Sequence, residues 1–391
     1  MIIGGPHVSA IKGGILSTTV ADFAMKGESE YSFIKFLTEY SGSKKYSEVG
    51  NLIYRDYTGN IIENENEPLI HDIDKIPFPD YKSFNFERYN YFRIKTLPII
   101  TSRGCPYGCN YCSVKLSMGR SFRARSPENV IDEMEYWIKT YKIEKFEIND
   151  DCFNLNIERA EKICDLIIKK GLNIQYEMHN GIRADRVTER LLRKMKDSGC
   201  AFVSYGCESA NQGIINNMGK ALKIEKVQEA VELTNKVGIK NAVHFIIGHK
   251  GETYLTALET IKFAKNLPTN FVSFYNLIPY PGTDLYNWVL KESAYMMPVN
   301  EYLTQIGSRD LTPVFETKEF PRNLRIKALK KGYALYEKSI MRFRLGKVFG
   351  YIAYLISRNR ILFSIGRRFV LGNKVGFFIY KSFSNRFIIK E

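Results

Sequence analysis

Long uncharged apolar runs are missing from this chain of 391 residues. None approaches the roughly 20 residues that a membrane-spanning helix needs, so no transmembrane segment is expected. The opening "MIIGGPHVSA" is apolar but short, lacks a basic stretch and contains Gly-Gly-Pro, which argues against a signal peptide. Internal repeats and low-complexity tracts are also lacking, so neither a solenoid nor a disordered scaffold is expected. Histidine is scarce, with five residues, and none follows a cysteine pair at zinc-finger spacing. Acidic residues are nearly absent from one region: residues 338–391 carry twelve Lys and Arg against the single acid Glu391.

What is present is globular in character. Hydrophobic residues make up 45%, charged residues 25% and aromatics 13%, enough for one large core or two modest ones. The net charge of +15 is concentrated in that C-terminal region, and the rest of the chain is close to balanced. Such an excess suits nucleic acid, an anionic membrane surface or acidic small molecules. Seven cysteines, an odd number with three clustered, argue against a disulfide framework. They favour a reducing, cytoplasmic setting with a metal site.

Residues 1–45 read as an apolar strand "MII", a sharp "GGP" turn holding His7, and an amphipathic helix in "GESEYSFIKFLTEYSG". Phe33, Phe36, Leu37 and Tyr40 share one face of that helix. A hairpin follows in 51–70, and "DIDKIPFPDYKSF" makes a proline-bearing connector. From Leu97 the pattern turns regular. Strands "LPIITS", "KFEIND", "NIQYEMH", "AFVSYG", "KNAVHFIIG" and "FVSFYNLI" alternate with helices over 127–141, 156–170, 188–198, 222–236 and 253–266. This string predicts an α/β fold with a parallel sheet, read here as a partial (β/α)6 TIM-like barrel over 96–290. An open doubly wound sheet would give the same string. Residues 291–391 read as a helical region ending in a basic amphipathic tail.

The cysteines Cys105, Cys109 and Cys112 lie in "TSRGCPYGCNYCSV", directly after the first of these strands. Parallel α/β folds place their chemistry at such strand ends. Gly104, Pro106 and Gly108 allow the loop to curl so that three thiols converge. Thiolates are soft ligands suited to iron–sulfur clusters, zinc or cuprous copper. A structural zinc site would want a fourth ligand nearby, and three cysteines on a 4Fe–4S cluster leave one iron open. Cys152, Cys164, Cys200 and Cys207 read as core thiols, with Cys207 at a strand end where substrate could approach.

"RGCPYGCNYC" at the head of a βα repeat resembles the cluster motif of the radical S-adenosylmethionine (radical SAM) superfamily, over roughly residues 95–290. The resemblance implies a 4Fe–4S cluster on Cys105, Cys109 and Cys112, with S-adenosylmethionine chelating the fourth iron. Reductive cleavage would then give a 5′-deoxyadenosyl radical that abstracts a substrate hydrogen. It also implies roles at the other strand ends. Tyr111 matches an aromatic position beside adenine, although its ring could equally be core packing. Asp150 and Asp151 would accept from the S-adenosylmethionine ammonium, with helix capping as the plainer role. Arg183 would clamp the carboxylate, with a surface ion pair as its alternative. Glu208 in "GCES" would reach the ribose, and Ile246 and Gly248 in "FIIGHKGET" would pack near adenine. His249-Lys250 departs from the usual family sequence at that loop.

"IIGGPHVSA…GESE" followed by "NLIYRD…DIDKIPFPDY" resembles the cobalamin-binding subgroup that includes Mg-protoporphyrin monomethyl ester cyclase and methyltransferases. The resemblance implies four parts. Residues 1–50 would be the C-terminal remnant of a truncated Rossmann-like cobalamin domain, with Gly4 and Gly5 beside the cofactor's tail. Residues 51–95 would be hairpin and linker, 96–290 the barrel, and 291–391 the helical region. Cobalamin would bind this shortened domain poorly or not at all unless a second chain completes it.

The expected function is radical chemistry (methyl transfer, cyclisation or rearrangement) on a small-molecule substrate, with an external electron donor such as flavodoxin or ferredoxin. The alternative is a non-catalytic iron–sulfur or zinc scaffold or an RNA-binding protein. The expected location is cytoplasmic, peripheral to the membrane if 341–391 meets anionic lipid. RNA binding by the tail or a packed helical cap are its other readings.

Overall fold

The computed structural model describes residues 1–84, 95–292 and 297–358. Strand β1 (Ile2–Gly4) runs parallel to β2 (Phe23–Met25), with helices α1 (Pro6–Ile11) and α2 (Gly14–Thr18) between them. Helix α3 (Glu30–Ser41) leads to the antiparallel hairpin β3 (Leu52–Arg55) and β4 (Ile61–Glu63), and β3 also pairs antiparallel with β2. One four-stranded sheet therefore runs β1-β2-β3-β4, continuous across residue 50. Val8, Ile15, Leu16, Ala24 and Ile53 form one of its buried clusters, and Met25, Phe36, Val49 and Leu52 another. His7 stands in α1 and not in a turn. The apolar face expected on α3 is mostly open: Phe36 is 4% exposed, but Phe33, Leu37 and Tyr40 are 39–51% exposed. Strands of three or four residues span only about 10–13 Å, and they cover Phe36 and leave the rest of that face open.

The second sheet carries the regular pattern. In chain order this region holds β5 (Thr96–Ile99), a separate antiparallel pair β6 (Ser102–Arg103) and β7 (Arg123–Ala124) flanking the cysteine loop and α4 (Val114–Ser117), then α5 (Pro127–Tyr141). After these come β8 (Lys145–Ile148), α6 (Ile157–Lys169), β9 (Gln175–Ile182), α7 (Glu189–Asp197), β10 (Cys200–Glu208), α8 (Gln212–Asn217) and α9 (Ile224–Val237). The core closes with β11 (Lys240–Ile247), α10 (Tyr254–Asn266) and β12 (Phe271–Asn276). The order is β12-β11-β10-β9-β8-β5, every neighbour parallel. Strand order follows chain order without reversal. A doubly wound sheet needs a reversal, so this topology is the partial barrel.

Alternation along the strands sorts the side chains. Phe146, Ile148, Tyr176, Met178, Val203, Tyr205, Val243, Phe245 and Phe274 are buried in the main core with Ile131, Met134, Ile163 and Leu191 of the helices. Each large apolar side chain so buried contributes about 1.5–3 kcal/mol. The alternate positions, Glu147, His179, Ser204, His244 and Ser273, line the concave face. Helix α5 begins as its sequence predicts, with Ser126 accepting from the Asn129 amide and Pro127 in the first turn. On the outer side of the terminal strand β5, the Tyr81 hydroxyl donates to the Pro98 carbonyl at 3.3 Å.

Helices α11 (Asp284–Glu292), α12 (Val299–Gln305), α13 (Arg322–Leu345) and α14 (Lys347–Arg358) follow. Helix α13 packs on β12 and α10, and α14 on α13. The tail beyond residue 358 lies outside the described residues. Ion pairs join the segment after β2 to the β6–β7 pair: Glu28, with a side chain 3% exposed, meets Arg123 at 2.6 Å and Arg103 at 3.3 Å. Glu30 meets Arg103 at 2.6 Å. Burial alone would raise Glu28, but hydrogen bonds from Arg123 and the Ile70 amide outweigh it and hold the carboxyl below its usual range.

Candidate cofactor site at the strand ends

The cysteine loop is anchored at both ends. At its start the Thr101 amide and hydroxyl and the Ser102 hydroxyl all donate to Asp150, at 2.6, 2.5 and 2.6 Å. Gly104 follows with φ +79, and a Cβ there would lie 2.3 Å from the Ser121 carbonyl oxygen. Only glycine fits that combination. The Gly104 amide donates to Asp151 at 3.0 Å. At the far end Asn110 bonds the carbonyls of Asn217 and Met218, both at 2.8 Å. Gly219, with φ +68, lets that segment pass so close that a Cβ would meet the Gly108 oxygen at 2.8 Å.

Cys105, Cys109 and Cys112 are each partly buried and feel one another's charge. Burial pushes Cys109 up and Cys112 up to about 11, while a hydrogen bond from Cys152 draws Cys105 down to about 6. Three partly buried thiols on one constrained loop, each within electrostatic reach of the others, fit a soft metal centre with three protein ligands.

Beside them is a polar triad that includes a residue the sequence did not point to. Glu208, 7% exposed and held at φ +67, accepts from the Tyr111 hydroxyl at 3.1 Å and from Lys220 at 2.6 Å. Burial alone would depress Lys220, but Glu208 and then Cys109 carry it upward, so it stays charged. Gly206 makes the arrangement possible, since a Cβ there would sit 2.5 Å from the Glu208 Oε1 and 3.0 Å from the Lys220 Nζ. Tyr111 meets buried His249 edge-on, with 5.4 Å between ring centres. Next to Tyr111 and Cys112 opens a cavity of ≈ 260 Å³, lined also by Ile246, Asn276, Leu277 and Tyr280.

Several candidates stand differently from expectation. Asp150 is 2% exposed, and both its oxygens are taken by Thr101 and Ser102. It is a loop anchor, and Asp151 is the carboxylate left nearer the thiols. Arg183 spends four of its five N–H donors on Asp185 and the Lys220 and Ala221 carbonyls. Its guanidinium lies 3.6 Å from the Tyr107 ring centre, so it braces the site wall. Cys207 is fully buried, its thiol 3.3 Å from the Ser209 carbonyl, on the helix side of β10. Cys152 is buried but sits against Cys105. Gly248, at φ +118, ends β11 beside the cavity wall. Gly5, at φ +102, has nothing within 4 Å of a built Cβ, and Gly4 meets only the Met25 oxygen at 3.5 Å.

Residues 99–264 match the family model of the radical SAM superfamily. An uncharacterized methyltransferase of Pyrococcus horikoshii is 31% identical over 335 residues, covering 85% of this chain and 71% of its own. The chain belongs to the radical SAM superfamily. An anaerobic magnesium-protoporphyrin IX monomethyl ester cyclase of Rubrivivax gelatinosus is 26% identical over 73% of this chain and 52% of its own length. The radical SAM chain described here therefore spans about half of that relative. Among solved structures, the radical SAM methyltransferase TsrM of Kitasatospora setae superposes with a TM-score of 0.65 at 18% identity, covering 80% of this chain and 62% of that one. The cobalamin-dependent radical SAM enzyme OxsB gives 0.63 at 17% identity, covering 98% and 62%. These two likenesses establish a shared radical SAM fold. Among the described residues no helix is long and apolar enough to cross a membrane.

Proposed function

We propose that this protein cleaves S-adenosylmethionine reductively on a 4Fe–4S cluster and starts radical chemistry on a small-molecule substrate. One observation carries the reading: three partly buried cysteines, close enough to feel one another's charge, sit on an anchored loop beside the cavity at Tyr111. Cys105, Cys109 and Cys112 would hold the cluster, which when bound supplies the electron for S-adenosylmethionine cleavage. The chain's own groups bind and orient. Asp151 faces the ammonium, Glu208 reaches the ribose hydroxyls, and Tyr111, Ile246 and Gly248 wall the adenine. Lys220 holds Glu208 in place through their ion pair, and Arg183 and Asp150 fix the loops. Methyl transfer is the leading outcome, because the relative at 31% identity is described as a methyltransferase. Cyclisation is the second reading, favoured by the cyclase relative.

Residues 96–290 are the catalytic unit, 1–50 and 51–95 its N-terminal neighbours, and 291–391 the region that shapes substrate access. The electron comes from a flavodoxin or ferredoxin. Exposed Val348, Phe349, Ile352 and Leu355 on α14, followed by the basic tail, support contact with an anionic membrane surface. Gly4 at the end of β1 and Gly5 just after it are exposed and line no cradle, so this chain holds cobalamin poorly. Desalted protein free of cobalamin absorption is the result expected there.

Anaerobic reconstitution with iron and sulfide, followed by dithionite and S-adenosylmethionine, tests the main reading. It should yield a brown protein that forms 5′-deoxyadenosine and methionine. A reconstituted cluster without that activity would refute it.

A further inference from the structure

Behind the cavity wall lies a buried polar patch that the proposed chemistry leaves unused. Glu252, just after β11, is 0% exposed and accepts from the Gly248 amide, and from the His249 amide at 3.2 Å. Arg325, on α13 and 2% exposed, points its guanidinium at the same loop. A Cβ on Gly248 would lie 2.9 Å from the Arg325 Nη1. The guanidinium is held in turn by the Phe320 carbonyl at 2.8 Å and by the rings of Phe315 and Phe320, whose centres lie 4.4 and 5.2 Å away. Glu252 Oε1, Arg325 Nη2 and His249 Nε2 are all buried without a hydrogen-bond partner. Natural cores rarely bury three such atoms unless the groups are kept for a purpose other than stability.

Arg325 stands outside the residues that match the family, 99–264, and comes from a helix the sequence left without a role. Yet it reaches the segment that walls the cavity on its Gly248 side. From there the contact continues through His249 to the Tyr111 ring and on to Glu208. We propose that Arg325 is a positioning residue for S-adenosylmethionine. By packing its guanidinium against Gly248, whose amide donates to Glu252, it fixes the β11 loop and keeps His249 packed on Tyr111. This rests on the reading that S-adenosylmethionine occupies the cavity beside Tyr111.

The arrangement has a specific consequence. Burial raises Glu252 to about 7 even with two amides and Arg325 beside it. Without the guanidinium the carboxyl would stay neutral and lose its charge-assisted bonds to the loop amides. The loop would loosen while the cysteine loop, anchored separately by Asp150 and Asn110, would keep its cluster.

The test uses the full chain, reconstituted anaerobically, with KM and kcat for S-adenosylmethionine cleavage measured in the absence of substrate. Arg325→Met should raise KM about tenfold, with kcat within about twofold and iron content unchanged. Adding Glu252→Gln to that variant should cost less than twofold more, although Glu252→Gln alone raises KM severalfold. Phe315→Leu, which keeps the charge and removes a supporting ring, should raise KM by a smaller factor. Leu329→Ala, a fully buried residue on the same helix, should lower the melting temperature and leave KM unchanged. An unchanged KM in Arg325→Met, or an equal KM rise in Leu329→Ala, overturns the proposal. If Arg325→Met does not fold, an unchanged KM in Phe315→Leu does so. Wild type and Cys105→Ala run alongside: failure of wild type to bind S-adenosylmethionine, or a retained cluster in Cys105→Ala, refutes the underlying reading instead.

Discussion

Two of the loops in this molecule that leave a strand through a glycine of positive φ stand in contrast. At Gly104 a side chain would strike the Ser121 carbonyl at 2.3 Å, and the residues around it are anchored by Asp150 and Asp151. At Gly5 a side chain would meet nothing within 4 Å. The first loop is specified by its surroundings on every side and presents three thiols. The second is permitted by its surroundings and presents backbone to open space. A glycine in a turn thus carries functional weight when the packing around it forbids any other residue, which sequence spacing alone does not reveal.

The largest effect should come from the thiols that the first loop presents. Replacing Cys105, Cys109 or Cys112 singly with Ala should abolish the visible chromophore and S-adenosylmethionine cleavage. Cys164→Ala, in the middle of α6, should keep both. Equal behaviour of all four variants would end the distinction between loop and core cysteines. Next comes Gly104→Ala, which combines a disfavoured φ with a backbone clash. It should cost about 3 kcal/mol or more, read as a shift in the urea midpoint with loss of cluster loading. A third effect tests the link between the two regions. Glu28→Ala leaves Arg123 buried without its partner and should cost about 3 kcal/mol, with residues 1–84 cut earlier in limited proteolysis. Because Glu28 is depressed in the folded state, its stabilisation is present above the ordinary glutamate range. It is lost as pH falls through the lowered folded value, so protease sensitivity of 1–84 should rise in acid and be flat near neutrality. The smallest effect is Gly5→Ala, about 1 kcal/mol from φ alone, with cluster content and S-adenosylmethionine cleavage untouched. A loss of activity there would show that the second loop is also a working part.

The barrel was legible because most of its strands alternate apolar and polar residues and its main helices are three to four turns long, so each period repeats enough to be read. Strand β2 and helices α1 and α2 were not legible, since elements of three to six residues hold less than two periods. The cysteine triplet announces itself by spacing, and Glu208 by its place at a strand end. Lys220 does not, because its meaning comes from the 2.6 Å contact with Glu208, made across a loop without a motif. Arg183 shows the converse: a cation near the site is visible in the sequence, but Asp185 two residues on already occupies it. The open apolar face of α3 failed for a similar reason, since periodicity reports what a helix offers and not how wide a surface receives it.

The contact between Tyr81 and Pro98 bears on how the molecule behaves in a crowded solution. A six-stranded parallel sheet that does not close has two raw margins, and a raw margin recruits strands from neighbouring copies. At Pro98 the outer rim of β5 has no N–H to offer, and its carbonyl is already taken by a phenol. At that position the rim cannot supply the next pair of ladder hydrogen bonds. Exchanging Tyr81 and Pro98 for residues with free backbone partners would turn a gap in the barrel into a nucleus for aggregation.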